Sequence, residues 1–400
     1  MAKIIGIIRE GKKPEDLRTP LTPKHCIELM NYFPETKILV QPSPFRCFSD
    51  QEYKDAGIEL REDLSECDIL LGVKEVPVDQ LIPNKTYLFF SHTIKKQAHN
   101  RGLLRAILSK NITLVDYETL VWDAGNRIIG FGRFAGIVGT HYALLMLGKK
   151  YAYYALKPAN ELKNYADLLT QYKDLVIPPV RIVVCGDGRV AHGSIELLRK
   201  LKIHQVSQQE FLEDDYNRPI FVHLRSEDYY ERKDGRIWDK SDFYKHPEDY
   251  KSCFKPYAQR ADIMVNAVFW KPGIEPFFTH EEMKDSDFRI KVISDITCDI
   301  PGPVPSTLRS STIINPFFGY NVYTEKEVAP FQPNVIDVQS VSNLPCEVPF
   351  DASIEFGEQL VRHVLPCLIE NDDEQIIQNA TIAANGKLME KFAYLQDYVD

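Results

Sequence analysis

Short apolar runs alternate with amphipathic stretches along nearly the whole chain, and this alternation constrains the fold more than any other feature. KIIGIIRE (3–10), KILVQ (37–41), DILLGVK (68–74), TYLFFSH (86–92) and NITLVDYE (111–118) read as strands. TPKHCIELMNYF (22–33) opens with Thr and Pro, a helix start. KKQAHNRGLLRAILSK (95–110) reads as a second helix. A long helix is expected over 133–156, where the chain passes to a second domain. RIVVCG (181–186), a short run near 203–206, DIMVNAVFW (262–270) and KVISDI (291–296) are further strands, with a helix over 190–201. The helix over 351–370 is expected to return toward the first domain. Such alternation predicts an α/β layered fold on a mainly parallel sheet. Residues 209–260, acidic and aromatic, give no assignment.

At 400 residues the chain exceeds one ordinary core, so two domains are expected. It is 44% hydrophobic and 26% charged, a globular composition. A net charge of −9 argues against nucleic acid as the main partner, because a phosphate backbone needs a basic face. Small-molecule substrates, including acidic ones, remain open, as does the oligomeric state. No apolar run reaches about 18 residues, so no membrane span is expected. The apolar start, followed at once by charge, is too short for a signal peptide. Eight scattered cysteines without a CxxC pair point to reduced thiols in a cytoplasm and to no metal site.

RIVVCGDGRVAHGSIELLRKL (181–201) joins a strand, a glycine turn and a helix. Gly186 and Gly188 let the backbone turn tightly and approach a pyrophosphate. The helix N-terminus beginning near Val190 would present free N–H groups to the phosphates. The glycine spacing is imperfect, Gly186-x-Gly188 followed by Ala191 and Gly193, and a plain strand-to-helix turn would use similar residues. The flanking strand and helix favour a dinucleotide. An NAD site usually carries an acid at the end of the second strand, about 20 residues on. Ser207 stands there, which leaves room for a 2′-phosphate. Arg189 would assist such a phosphate and Asp187 oppose it, so NADPH is favoured over NADH.

Two strands each deliver one titratable group at their end: Lys74 in LLGVKEVP and His92 in YLFFSH. A partly dry lysine can have its pKa lowered into working range, and a histidine is already near it. Glu75 and Glu118 sit at comparable places and would tune both by charge. Each group alone has a bland reading, a snorkelling lysine or a capping histidine. Their joint placement favours proton transfer. Arg18 in DLRTPLTP and Arg127 in NRIIGFG are candidate forks for carboxylates, or members of structural ion pairs.

Together PLTPKH (20–25), LGVKEVP (71–77), KTYLFFSHTIKKQ (85–97), DYETLV (116–121), FGRFAG (131–136), YKHPEDY (244–250), SDITCD (294–299), SNLPCEVP (342–349) and ATIAANGKL (380–388) form a pattern. It resembles the lysine–2-oxoglutarate reductase and saccharopine dehydrogenase family, within the alanine dehydrogenase and transhydrogenase superfamily. The resemblance is strongest to the reductase domain of the bifunctional lysine-degrading enzyme. It implies two Rossmann-like doubly wound domains flanking a cleft, the first discontinuous. Residues 1–135 with 345–400 would form the substrate domain, and 136–344 the dinucleotide-binding domain. The implied reaction joins lysine to 2-oxoglutarate through an imine that takes hydride from NAD(P)H, giving saccharopine, or runs in reverse. Lys74 and His92 match the family's acid–base pair, and Glu75 and Glu118 the acids that tune it. Arg18, Arg127 and Phe131 match substrate contacts. Gly188 and Arg189 match the pyrophosphate loop. Ser342 stands where relatives with saccharopine activity carry an acid. With Leu344 it falls in the stretch assigned to the nicotinamide end. Two other readings stay open: alanine dehydrogenase-like reductive amination of a small 2-oxo acid, and a catalytically silent nucleotide-binding sensor.

Overall fold

The computed structural model describes residues 3–123 and 125–400. Along the chain run β1 (Ile4–Ile7), α1 (Pro23–Tyr32), β2 (Lys37–Val40), α2 (Asp50–Asp55), β3 (Glu59–Leu60), β4 (Ile69–Leu71), β5 (Thr86–Phe89), α3 (Arg101–Ser109), β6 (Thr113–Asp116) and α4 (Gly132–Tyr151). There follow α5 (Tyr165–Thr170), β7 (Arg181–Cys185), α6 (Arg189–Lys200), β8 (His204–Gln205), α7 (Gln208–Glu213) and β9 (Ile220–Leu224). The remaining strands are β10 (Tyr230–Arg232), β11 (Tyr250–Ser252), β12 (Ile263–Asn266), β13 (Val292–Asp295), β14 (Phe317–Asn321), β15 (Lys326–Val328), β16 (Ile336–Gln339), β17 (Thr381–Ala384) and β18 (Lys387–Leu388). The chain divides into two compact units, Met1–Phe131 with Pro349–Asp400, and Gly132–Val348.

In the first unit the sheet order is β18-β17-β6-β5-β4-β1-β2-β3. β1 to β6 are mutually parallel, and β17 joins antiparallel to β6 with β18 antiparallel to it at the edge. The chain runs outward from β1 to β3, then crosses back to β4 on the other side of β1. Ligands of open α/β sheets gather outside the carboxyl ends of the strands at such a reversal. The loops after β1 and β4 flank it, and the loop after β5 lies next in line. α1 starts where its sequence says it should: Pro23 occupies the first turn and Thr22 caps it, accepting from the His25 N–H.

Two strands end earlier than expected. β4 stops at Leu71 and β5 at Phe89, so Lys74 and His92 stand on the loops beyond. At the end of β4 the reason is local. The Glu10 carboxylate takes the N–H groups of Val73 (2.6 Å) and Lys74 (2.8 Å), which therefore need no sheet partner. The helix expected from residue 95 begins at Arg101, after a single turn at Ala98–Asn100.

The second unit has the order β15-β14-β16-β13-β12-β7-β9-β8. β16, β13, β12, β7, β9 and β8 are parallel, while β14 and β15 form an antiparallel edge. The expected long helix is α4, which ends at Tyr151 rather than 156. It is buried along most of its length and packs on α6. Glycines permit that approach: a Cβ on Gly136 would lie 1.9 Å from the Val190 carbonyl oxygen, and one on Gly193 2.0 Å from that of Arg133.

The unassigned stretch 209–260 supplies an interior strand, β9. β9 pairs with β7, whereas β8 pairs with β9 at the outer edge. This corrects the placing of Ser207, which rested on the second strand in sequence lying beside the first. β8 has two exposed residues, His-Gln, while β9 reads IFVHL and is almost wholly buried. The slot beside the fully buried β7 takes the longer apolar strand, because an interior parallel strand is covered on both faces. Ser207 instead caps α7, its hydroxyl accepting from the Glu210 N–H.

Candidate active site

In the first unit a chain of charged groups joins the loops at the sheet reversal. Glu75 is buried and uses both carboxylate oxygens: Oε1 meets His92 Nδ1 at 2.7 Å and Oε2 accepts from Lys12 Nζ at 2.7 Å. Burial raises the Glu75 carboxyl pKa, but the His92 ring and the Lys12 ammonium outweigh it and hold the group well below the usual carboxylate range. An ionised carboxylate only accepts, so Nδ1 of His92 donates and Nε2 is the ring's other nitrogen. Asn100 Nδ2 bridges Glu75 Oε1 (3.3 Å) and the Ser91 carbonyl (3.1 Å).

His92 itself has a left-handed backbone, φ 50°. Its neighbours fix that turn. Ser91 and Thr93 hydroxyls bond each other at 2.7 Å, and Asp116 at the end of β6 accepts from the Ser91 N–H (2.9 Å) and hydroxyl. The same carboxylate takes the Glu118 N–H at 2.7 Å. Burial pushes the Asp116 carboxyl pKa up to about 6 against those hydrogen bonds.

Lys74 is partly buried, with its N–H held by Glu10. Burial, then the Asp16 charge, pushes the Glu10 carboxyl pKa up to about 8, while the Lys74 and Val73 N–H groups and Arg18 oppose the shift. Arg18 is buried and grips Asp16 through Nε–Oδ1 (2.9 Å) and Nη2–Oδ2 (2.6 Å). Burial acts upward on Asp16, but Arg18 and the nearby Lys74 charge leave its pKa well below the ordinary range. The Arg18 guanidinium lies 4.1 Å over the Phe131 ring, and Phe131 stacks on Phe356 at 4.5 Å. Phe131 thus shapes the wall beside Arg18. Arg127, half-exposed, donates from Nη2 to Glu118 Oε1 at 2.8 Å. Of the sequence candidates in this unit, His92 and Glu75 meet directly, as do Arg127 and Glu118, and Arg18 and Phe131.

Glu10, Lys12, Asp16, Asn100 and Asp116 were not singled out from the sequence. Glu10, Lys12 and Asp16 crowd the stretch REGKKPEDLR just after β1, and an acid within three residues of a buried strand was the visible signal. Asn100 carried no local signal. Its role depends on where α3 begins.

In the second unit Gly186 turns the chain after β7 with φ 121°. A Cβ there would lie 2.5 Å from the Ala267 carbonyl oxygen, so only glycine fits. Gly188 caps α6, and a Cβ on it would meet nothing within 4 Å. Asp187 and Arg189 beside it are exposed and Val190 partly buried. A turn demanding glycine next to an open glycine at a helix start fits a dinucleotide pyrophosphate. Ser342, beyond β16, is exposed, and Leu344 is buried. At the ends of β12 and β13 Asn266 Nδ2 and the Thr307 hydroxyl donate to the two oxygens of Asp295 (2.8 and 2.6 Å). Burial pushes the Asp295 carboxyl pKa up to about 6 against those bonds.

Two parallel-dominated eight-stranded sheets of this kind are the architecture of two Rossmann-like domains, the alanine dehydrogenase fold. A solved L-alanine dehydrogenase matches with a TM-score of 0.68 at 16% identity, covering 98% of each chain. Residues 6–138 match the family model "Alanine dehydrogenase/PNT, N-terminal domain". The chain is 30% identical over 440 residues to the alpha-aminoadipic semialdehyde synthase of Arabidopsis thaliana, covering 98% of this chain and 41% of that protein. It is 26% identical over 381 residues to the NAD(+), L-lysine-forming saccharopine dehydrogenase of Yarrowia lipolytica, covering 90% of each. The resemblance drawn from the motifs thus extends over nearly the full length. The chain spans less than half the length of the plant relative. Among the described residues no helix is long and apolar enough to cross a membrane.

Proposed function

We propose that the chain is a nicotinamide-dependent oxidoreductase of a C–N bond, interconverting saccharopine with L-lysine plus 2-oxoglutarate. The observation that carries this reading is the Glu75 bridge between His92 and Lys12, one residue from Lys74 and beside the sheet reversal. A binding protein has no need of a histidine held in one tautomer next to a partly buried lysine. The similarity to a saccharopine dehydrogenase and to an aminoadipic semialdehyde synthase supports the substrate class.

In this reading Lys74 moves the protons of carbinolamine and imine formation between the ε-amine of lysine and the ketone. His92 exchanges a proton at Nε2 with the nitrogen or the departing water. Glu75 fixes the ring, and Lys12 offsets the Glu75 charge. Arg18 and Arg127 orient substrate carboxylates, exchanging part of their grip on Asp16 and Glu118. Gly186, Gly188, Arg189 and Val190 would hold the dinucleotide, which supplies the hydride when bound. Ser342 and Leu344 would lie toward its nicotinamide end. NADPH is the favoured cofactor.

The test is loss of NAD(P)H absorbance with lysine and 2-oxoglutarate, run with each cofactor. Oxidation that needs both substrates is expected. Oxidation with pyruvate and ammonia instead would move the assignment to reductive amination. Dinucleotide binding without turnover of any amine–keto acid pair would overturn the enzyme reading.

A further inference from the structure

The end of β9 is fastened to the glycine turn. The Gly186 N–H donates to the Leu224 carbonyl at 2.9 Å, and His223 Nε2 donates back to the Gly186 carbonyl at 2.6 Å. The next residue, Arg225, is exposed and points its Nε at Asp187 Oδ1, 3.3 Å away. Its backbone N–H is held by Asp228 Oδ2 at 2.7 Å. In a Rossmann nucleotide unit, the strand beside the glycine-loop strand ends next to the adenosine ribose. An acid there takes the ribose hydroxyls, and an arginine takes a 2′-phosphate. The sheet order gives that place to β9, and the first side chain beyond it is an arginine.

We propose that Arg225 reads the 2′-position of the bound dinucleotide and sets a preference for the 2′-phosphorylated form. The inference rests on the dinucleotide reading and adds to it the specificity residue. Asp187 is the built-in competitor. Its Oδ1 lies 3.3 Å from Arg225 Nε. A dianionic phosphate presents more charge and more acceptor oxygens to the guanidinium fork than one carboxylate does. Ser207 takes no part, being occupied as the cap of α7.

The test is equilibrium binding, by calorimetry or quenching of tryptophan fluorescence, of NADP+, NAD+ and adenosine 2′,5′-bisphosphate to the full chain. Wild type is expected to bind NADP+ more tightly than NAD+. Arg225→Ala should weaken NADP+ and the bisphosphate by about tenfold to a hundredfold, the weight of a lost charge-assisted pair. NAD+ should change by less than about threefold, because it offers Arg225 no phosphate at that position. Asp187→Asn should tighten NADP+. Arg225→Gln, of similar length, serves as a second variant, with melting temperature monitored for both. Equal loss for both dinucleotides, no loss for either, or a wild-type preference for NAD+ would overturn the role of Arg225 while leaving dinucleotide binding intact. If wild type binds none of the three, the dinucleotide reading falls and this inference with it.

Discussion

Glu75 Oε1 lies 2.7 Å from His92 Nδ1 while Oε2 of the same carboxylate holds Lys12, so one buried acid fixes a histidine tautomer and has its charge offset by a lysine from another loop. Glu75→Gln keeps the shape but can turn an amide N–H toward Nδ1, forcing the opposite tautomer. Turnover is expected to fall by about a hundredfold or more, with a smaller fall in melting temperature because the ionised Glu75 paired with His92 and Lys12 also stabilises the fold. Near wild-type turnover would show that the ring needs no carboxylate.

Lys74→Met with His92→Gln should abolish most turnover, by about 10²–10⁴-fold, the usual weight of general acid–base groups. Dinucleotide affinity should change far less than turnover, because the glycine turn is built from its own strand and helix, β7 and α6. Calorimetric binding alongside steady-state rates checks both halves.

Removing the carboxyl at Glu10→Ala strips the Val73 and Lys74 N–H groups of their acceptor. Each buried N–H left unpaired costs about 1–3 kcal/mol, so denaturant unfolding should show a loss of that order. Turnover should fall as well, because Lys74 stands on the released segment. Retained stability would mean that water or a neighbour replaces the acceptor.

Glycines of the second unit separate packing from binding. Gly193→Ala drives a Cβ to 2.0 Å from the Arg133 carbonyl and should cost about 1–3 kcal/mol or more. Gly188→Ala meets open space, so its melting temperature should stay near wild type. Its dinucleotide affinity should drop if the pyrophosphate lies over that turn. A Gly188→Ala protein with unchanged affinity would remove the turn from the proposed site.

Glu347 is buried with its carboxyl accepting from the Tyr142 hydroxyl, and burial pushes its pKa up from 4.5 to about 8 against that bond. The folded state thus binds a proton that the unfolded state has already released between those values. The stabilisation is full below pH 4.5 and is lost as pH rises through about 8. Glu347→Gln should flatten the fall of melting temperature across that window. An unchanged slope would place the pH dependence in other groups.

The positions of Lys74 and His92 near the carboxyl ends of two strands were legible because apolar runs of β type break off into charge there. The glycine turn was legible because a strand, two glycines and a helix follow one another within 20 residues. Partners across the chain were not. Nothing local in GKKP links Lys12 to Glu75, which is 63 positions away, nor does any spacing link Asn100 to Ser91.

The sequence by itself determined the α/β class, the residues at the strand ends and the glycine turn, because these follow from short-range periodicity and turn chemistry. Tertiary structure decided which strand lies beside which. IFVHL, not the earlier HQ, occupies the place next to β7, since an interior slot covered on both faces selects the more apolar of two candidate strands. That choice moved the position facing the proposed ribose from Ser207 to Arg225.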